Sequence, residues 1–154
     1  MTKIIRICLL LVVVGVLGCF GSGKNDKWTK DRPPTYSVKG TVTFDGKPLA
    51  DASIVFRPTV GENAAVGRTN QQGEFTLQTF EEQDGAVAGD FQVSVTAVKI
   101  EGPPPGANLD EINPVTKEIW LIPQNYGDFK KSGLTATVTK SGPNVFDLTL
   151  TSKK

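Results

Sequence analysis

The side chains with the most reactive chemistry are the two thiols, Cys8 and Cys19. A thiolate is a strong nucleophile, and Cys19 follows Gly18 directly at the polar end of an apolar run from Ile7 to Leu17. The 154 residues contain no histidine. That removes the commonest general base, the imidazole metal ligand and every nucleophile activated by imidazole. Glu81, Glu82 and Asp84 cluster beside Gly85, but they lack the alternating oxygen ligands of a calcium loop and read as a solvated loop tip. Asp45, Asp51 and Glu62 meet the same objection. No glycine-rich loop runs into Lys-Ser or Lys-Thr, and Lys130-Lys131 is too short a basic run to hold nucleic acid. Seventeen Lys and Arg stand against sixteen Asp and Glu, so no net field draws the chain to a polyanion. No catalytic residue, metal ligand or cofactor is expected. Two aromatic side chains remain, Trp120 and Tyr126, which are the candidate ligand contacts by stacking on a glycan or a peptide. Rings open to solvent favour that role, and rings buried under their loop favour a structural one.

The N-terminus carries an address. Lys3 and Arg6 precede the apolar run, and a polar stretch follows it, the plan of an export signal. As a helix the run spans roughly 16 Å, well short of the roughly 30 Å hydrocarbon core of a bilayer. Val16-Leu17-Gly18-Cys19 resembles the lipobox of bacterial lipoproteins, with Leu17 where a smaller residue is more usual. The resemblance implies cleavage between Gly18 and Cys19 and a diacylglyceryl thioether on Cys19, with acylation of the freed amine. Each buried methylene adds about 0.8 kcal/mol, and two or three chains make the anchor effectively permanent. Cys8 leaves with residues 1–18, so the remaining chain has no free thiol and no disulfide. Without Lys3 and Arg6 its charge is fifteen basic against sixteen acidic residues, a net −1. Residues 19–35 are rich in Gly, Lys, Asp and Pro and read as a flexible tether, with Trp28 its one large ring.

Beyond the tether a period of two takes over. Tyr36, Val38, Gly40, Val42 and Phe44 share one face, with Ser37, Lys39, Thr41 and Thr43 on the other, as in a half-buried strand. Asp45-Gly46 supplies a tight turn into a hairpin with Ser53–Pro58. Ala64–Asn70 and Glu74–Thr79 form a second pair around Gln71-Gln72-Gly73, with Phe75 and Leu77 inward. Asp90–Ile100 is the longest strand. Its phase slips after Ala97, which predicts a bulge there or a terminal stretch buried on both faces. Leu134–Val138 and Phe146–Leu150 flank a turn at Ser141-Gly142-Pro143-Asn144. Arg57 and Arg68 sit within strands and are expected in cross-strand charge pairs. Seven strands and no helix predict an antiparallel Greek-key β-sandwich. Residues 101–131 interrupt the rhythm with a long Pro-rich loop, and its apolar Ile119–Ile122 is expected to add a short strand or pack down, ended by Pro123 and covered by Tyr126.

Val38-Lys39-Gly40-Thr41-Val42, Asp45-Gly46-Lys47-Pro48-Leu49 and Ala52-Ser53-Ile54-Val55-Phe56 resemble the opening of carboxypeptidase regulatory-like domains. Thr69-Asn70-Gln71-Gln72-Gly73-Glu74-Phe75 resembles their second hairpin, with Asn70 in place of Asp. Ala88-Gly89-Asp90-Phe91 is similar to the start of their long strand, and Ile122-Pro123-Gln124-Asn125-Tyr126 is similar to small envelope lipoproteins that carry this domain alone. The resemblance spans about residues 36–151 and implies a transthyretin-like sandwich without catalysis. Hydroxyisourate hydrolases share that fold but use histidine, which this chain lacks. The expectation is therefore a noncatalytic module, exported and lipid-anchored to a bacterial envelope membrane on its periplasmic or surface face. Its partners would be that membrane and an envelope protein or glycan, not nucleic acid.

Overall fold

The computed structural model describes residues 29–102 and 117–153. The export signal of residues 1–18, Gly18, Cys19 and Trp28 lie outside the described residues, as do Pro103, Pro104 and Pro105 of the long loop. The fold is carried by the unit Pro33–Lys154. In chain order its strands are β1 (Thr35–Tyr36), β2 (Val38–Phe44), β3 (Lys47–Pro48), β4 (Ser53–Pro58), β5 (Ala65–Arg68) and β6 (Glu74–Thr76). There follow β7 (Ala86–Val87), β8 (Gly89–Thr96), β9 (Val98–Glu101), β10 (Lys117–Trp120), β11 (Leu134–Val138) and β12 (Asn144–Leu150), with one 3-10 turn, Gln124–Gly127, before β11.

The protein is all-β, with a sandwich-like pair of sheets. One has the order β11-β8-β4-β5. The other places β12 beside β2, and along the far side of β2 run β6 and then β3. Alternation decides what each strand buries: Val38, Gly40 and Val42 face in while Lys39 faces solvent. Phe91, Val93 and Val95 do the same in β8. The two sheets meet at Phe56, fully buried, whose ring lies 5.8 Å from Phe91 in its own sheet. From the opposite sheet Phe75 and Phe146 approach it at 6.4 and 5.6 Å. Gly40 is paired in register with both Phe75 and Phe146. A Cβ there would lie 2.1 Å from the Phe146 carbonyl oxygen and 2.6 Å from Phe75 Cζ, so the absent side chain makes room for the ring.

Three features depart from the sequence reading. The hairpin turn forms at Asp45 and Gly46, both with positive φ, but its return strand is β3, not Ser53–Pro58. Asp51, at φ +56°, turns the chain out of that ladder, and β4 joins the other sheet between β5 and β8. Second, the sheets are not wholly antiparallel: β12 runs parallel to β2, Asn144 opposite Val38 and Leu150 opposite Phe44. Residue alternation is the same in either direction, so only the turn-over of the chain between β11 and β12 reveals it. Third, seven strands become twelve segments among the described residues. The first expected strand is cut at Ser37 and the longest at Ala97, β3 and β7 are additional, and β10 is the short strand expected at the start of Ile119–Ile122. After Ala97 the chain leaves β4 and pairs as β9 with β10, and Ile100 is 66% exposed rather than buried on both faces.

One flank of the sandwich is closed by a single crossing strand. β6 pairs with β2, and two residues further on Gln78 exchanges both main-chain hydrogen bonds with Val66 of β5, each 2.8 Å. At the opposite flank Asn144 fills the corner between the sheets. Its Oδ1 accepts from Thr139 N at 2.9 Å, and its Nδ2 donates to the carbonyls of Thr139 (3.1 Å) and Ser37 (3.5 Å). A buried amide satisfied on both ends costs little to desolvate.

Candidate functional site

The segment that holds Trp120 and Tyr126 is ordered around its apolar run. Ile119 and Trp120 lie in β10, Trp120 opposite Val98. Leu121 N donates to Ala97 O at 2.9 Å, Ile122 is buried, and Pro123 starts the 3-10 turn. This puts Tyr126 inside: it is 3% exposed, and its hydroxyl is spent on Thr151. Trp120 is half-buried. A Cβ on Gly127 would touch its six-membered ring at 3.5 Å, so the indole caps the 3-10 turn. The two rings are not brought together on one open face, and Tyr126 has no surface to offer a ligand.

The acidic residues hold loops. Asp84 Oδ1 accepts from Thr79 N at 2.6 Å, and Oδ2 accepts from Phe80 N at 3.0 Å and Glu81 N at 3.2 Å. Glu82 shares none of these bonds. Asp45 accepts from Ser152 N at 3.0 Å. Asp51 meets Arg68 at 3.4 Å with both side chains mostly in solvent, a pair worth little to stability. Among the described residues no carboxylate pairs with Arg57: it donates to Gln92 across β4 and β8 and lies 4.1 Å over the Phe129 ring. Lys130 and Lys131 expose their side chains, and their backbone N–H groups donate to Asp128 at 2.8 and 3.2 Å. The Lys130 N–H chiefly holds the Asp128 carboxyl below its ordinary value, against the opposing effect of desolvation, and the Lys131 N–H and the two lysine charges add to the lowering. Among the described residues no three His, Cys, Asp or Glu side chains are grouped to hold a metal.

A groove of about 710 Å³ with a mixed polar and apolar lining lies elsewhere, across β2 and β6. Lys39, Thr41 and Thr76 form its floor, with Lys39 opposite Thr76 and Thr41 opposite Glu74. Arg68 and Asn70 flank it on the side of β5, Glu82 and Gln83 come from the loop that Asp84 ties down, and Val145 of β12 lines the far side. Sequence reading missed it because five separate segments build it. Its one signal was the unbroken polar phase of β2.

No protein-family model and no curated protein matches the sequence. Among solved structures the chain is similar to a 9R-lipoxygenase from Cyanothece PCC8801, at 17% identity and a TM-score of 0.35. The alignment covers 79% of this chain and 17% of the lipoxygenase chain. The chain thus spans about a sixth of that protein, and the likeness is too slight to carry any argument on fold family or activity.

Proposed function

We propose that the protein is a noncatalytic, membrane-anchored envelope lipoprotein, held by acyl chains on Cys19 and carrying a β-domain that acts as a structural or macromolecule-contact module. The order Lys3, Arg6, apolar run, Gly18, Cys19 carries this reading. The short polar stretch after Cys19 would hold the domain off the bilayer. We further take the two sheets as a transthyretin-like Greek-key sandwich of the carboxypeptidase regulatory-like kind, on the motifs from Val38 to Phe56 and from Thr69 to Phe75. The work of the polar side chains supports a structural role: Asp84, Asp128 and Asn144 each accept from backbone amides of their own loops. The membrane is one partner, and an envelope protein or glycan is the other.

Feeding cells a clickable palmitate analogue tests the reading. The wild type should take up label and partition into the detergent phase, and Cys19→Ser should do neither. Label retained in Cys19→Ser, or a wild type found wholly in the aqueous phase, overturns it.

A further inference from the structure

We propose that the groove across β2 and β6 binds a short, uncharged oligosaccharide. Its size falls in the usual range of small-ligand clefts, about 300–1,000 Å³, at about 710 Å³. Its charges cancel: Lys39 and Arg68 face Glu74 and Glu82 within one lining. Two basic and two acidic residues leave no net field to favour a polyanion or a polycation, whereas an uncharged ligand needs none.

The hydrogen-bonding groups point the same way. Arg68 is engaged with Asp51, and Glu74 accepts from Asn70 Nδ2 at 2.9 Å. Among the described residues no hydrogen-bond partner occupies the side chains of Lys39, Gln78, Glu82 or Gln83. That leaves an ammonium that only donates, a carboxylate that only accepts and two amides that do both. A sugar hydroxyl both donates and accepts, so a run of hydroxyls can satisfy all four with one ligand chemistry. Val145, 59% exposed, adds an apolar contact for the C–H face of a sugar ring. A peptide added as an extra strand does not fit. β2 is already paired on both sides, and Gln78 is already bonded to Val66, so neither offers its main chain to an added strand. The groove takes over the ligand role that Tyr126 cannot fill, and it names the chemistry of the macromolecule contact proposed above. It relies on that reading only to bring an envelope glycan within reach.

The test is calorimetric titration of the detergent-solubilised full chain with cellohexaose and chitohexaose, beside oligogalacturonate and a chitosan oligomer as charged counterparts. At least one neutral hexamer should bind, with the charged ones weaker. The double variant Gln78→Ala, Gln83→Ala should weaken binding by about tenfold or more, and Trp120→Ala should leave it unchanged. Failure of both neutral hexamers to bind at about 10 mM, an equal or stronger heat with a charged oligomer, or affinity untouched by the double variant overturns the proposal. Circular dichroism checks that the double variant keeps its sheet signal. If it does not, the single variant Lys39→Met replaces it: a loss of about tenfold or more supports the proposal, and unchanged affinity overturns it. Binding in detergent solution does not depend on how Cys19 is modified, so this proposal and the anchoring reading fail separately.

Discussion

The Tyr126 hydroxyl meets both main-chain groups of Thr151: it accepts from the Thr151 N–H at 2.9 Å and donates to the Thr151 carbonyl at 3.3 Å. Thr151 directly follows β12, the strand that runs parallel to β2, so one side chain pins the end of that strand to the 3-10 turn. Tyr126→Phe keeps the ring in the core and deletes both bonds, leaving a part-buried amide without its partner. The expected loss is about 1–3 kcal/mol, read as a lower urea midpoint at unchanged m-value. An unchanged midpoint would show that the hydroxyl holds nothing.

Phe56 joins the sheets through Phe75 and Phe146. Phe56→Ala should cost about 3–5 kcal/mol. A change of only a few tenths in urea unfolding would mean that the aromatic cluster is not where the sheets meet.

Gly40 makes a sharper test of the packing, because two different groups, the Phe146 carbonyl and the Phe75 ring, forbid a side chain there. Gly40→Ala should destabilise by about 1–3 kcal/mol. Trimming the ring with Phe75→Leu should not rescue it, since the nearer obstacle is the Phe146 carbonyl oxygen of the backbone. Full rescue in the double variant would place the clash on the ring alone.

Much of this was legible in the sequence and some was not, for definite reasons. Period-two alternation located the buried faces of β2, β6, β8, β11 and β12 because a half-buried strand must alternate. The slip after Ala97 marked a real break, since from there β9 pairs with β10 instead of β4. Neighbour and direction were hidden. Nothing local to Ser53–Pro58 says that it pairs with β8 and β5 rather than β3, and nothing in Asn144–Leu150 says that it runs parallel to β2. For the same reason the groove was invisible, being made by side chains from distant segments. Trp120 and Tyr126 stood out by residue type, yet type says nothing of burial, and Tyr126 proved to be interior.

Acid should loosen the loop before β11. The lowered pKa of Asp128 means that the folded state favours its carboxylate, chiefly through the Lys130 N–H. The stabilisation is therefore present above the ordinary value of 3.8 and is lost as the pH falls through the lower folded value. Amide exchange at Lys130 and Lys131 should quicken in Asp128→Ala at neutral pH, and the difference from wild type should shrink below pH 3.8. A difference that is constant with pH would separate the two amides from the charge on Asp128.

Mass spectrometry of the N-terminal tryptic peptide from native membranes decides whether Cys19 becomes the acylated first residue of the protein. The expected peptide begins at Cys19 and ends at Lys24, heavier by a diacylglyceryl group and, where the amine is also acylated, by one further chain. A Cys19 found as an unmodified thiol, or a mature chain still beginning at Met1, would contradict it.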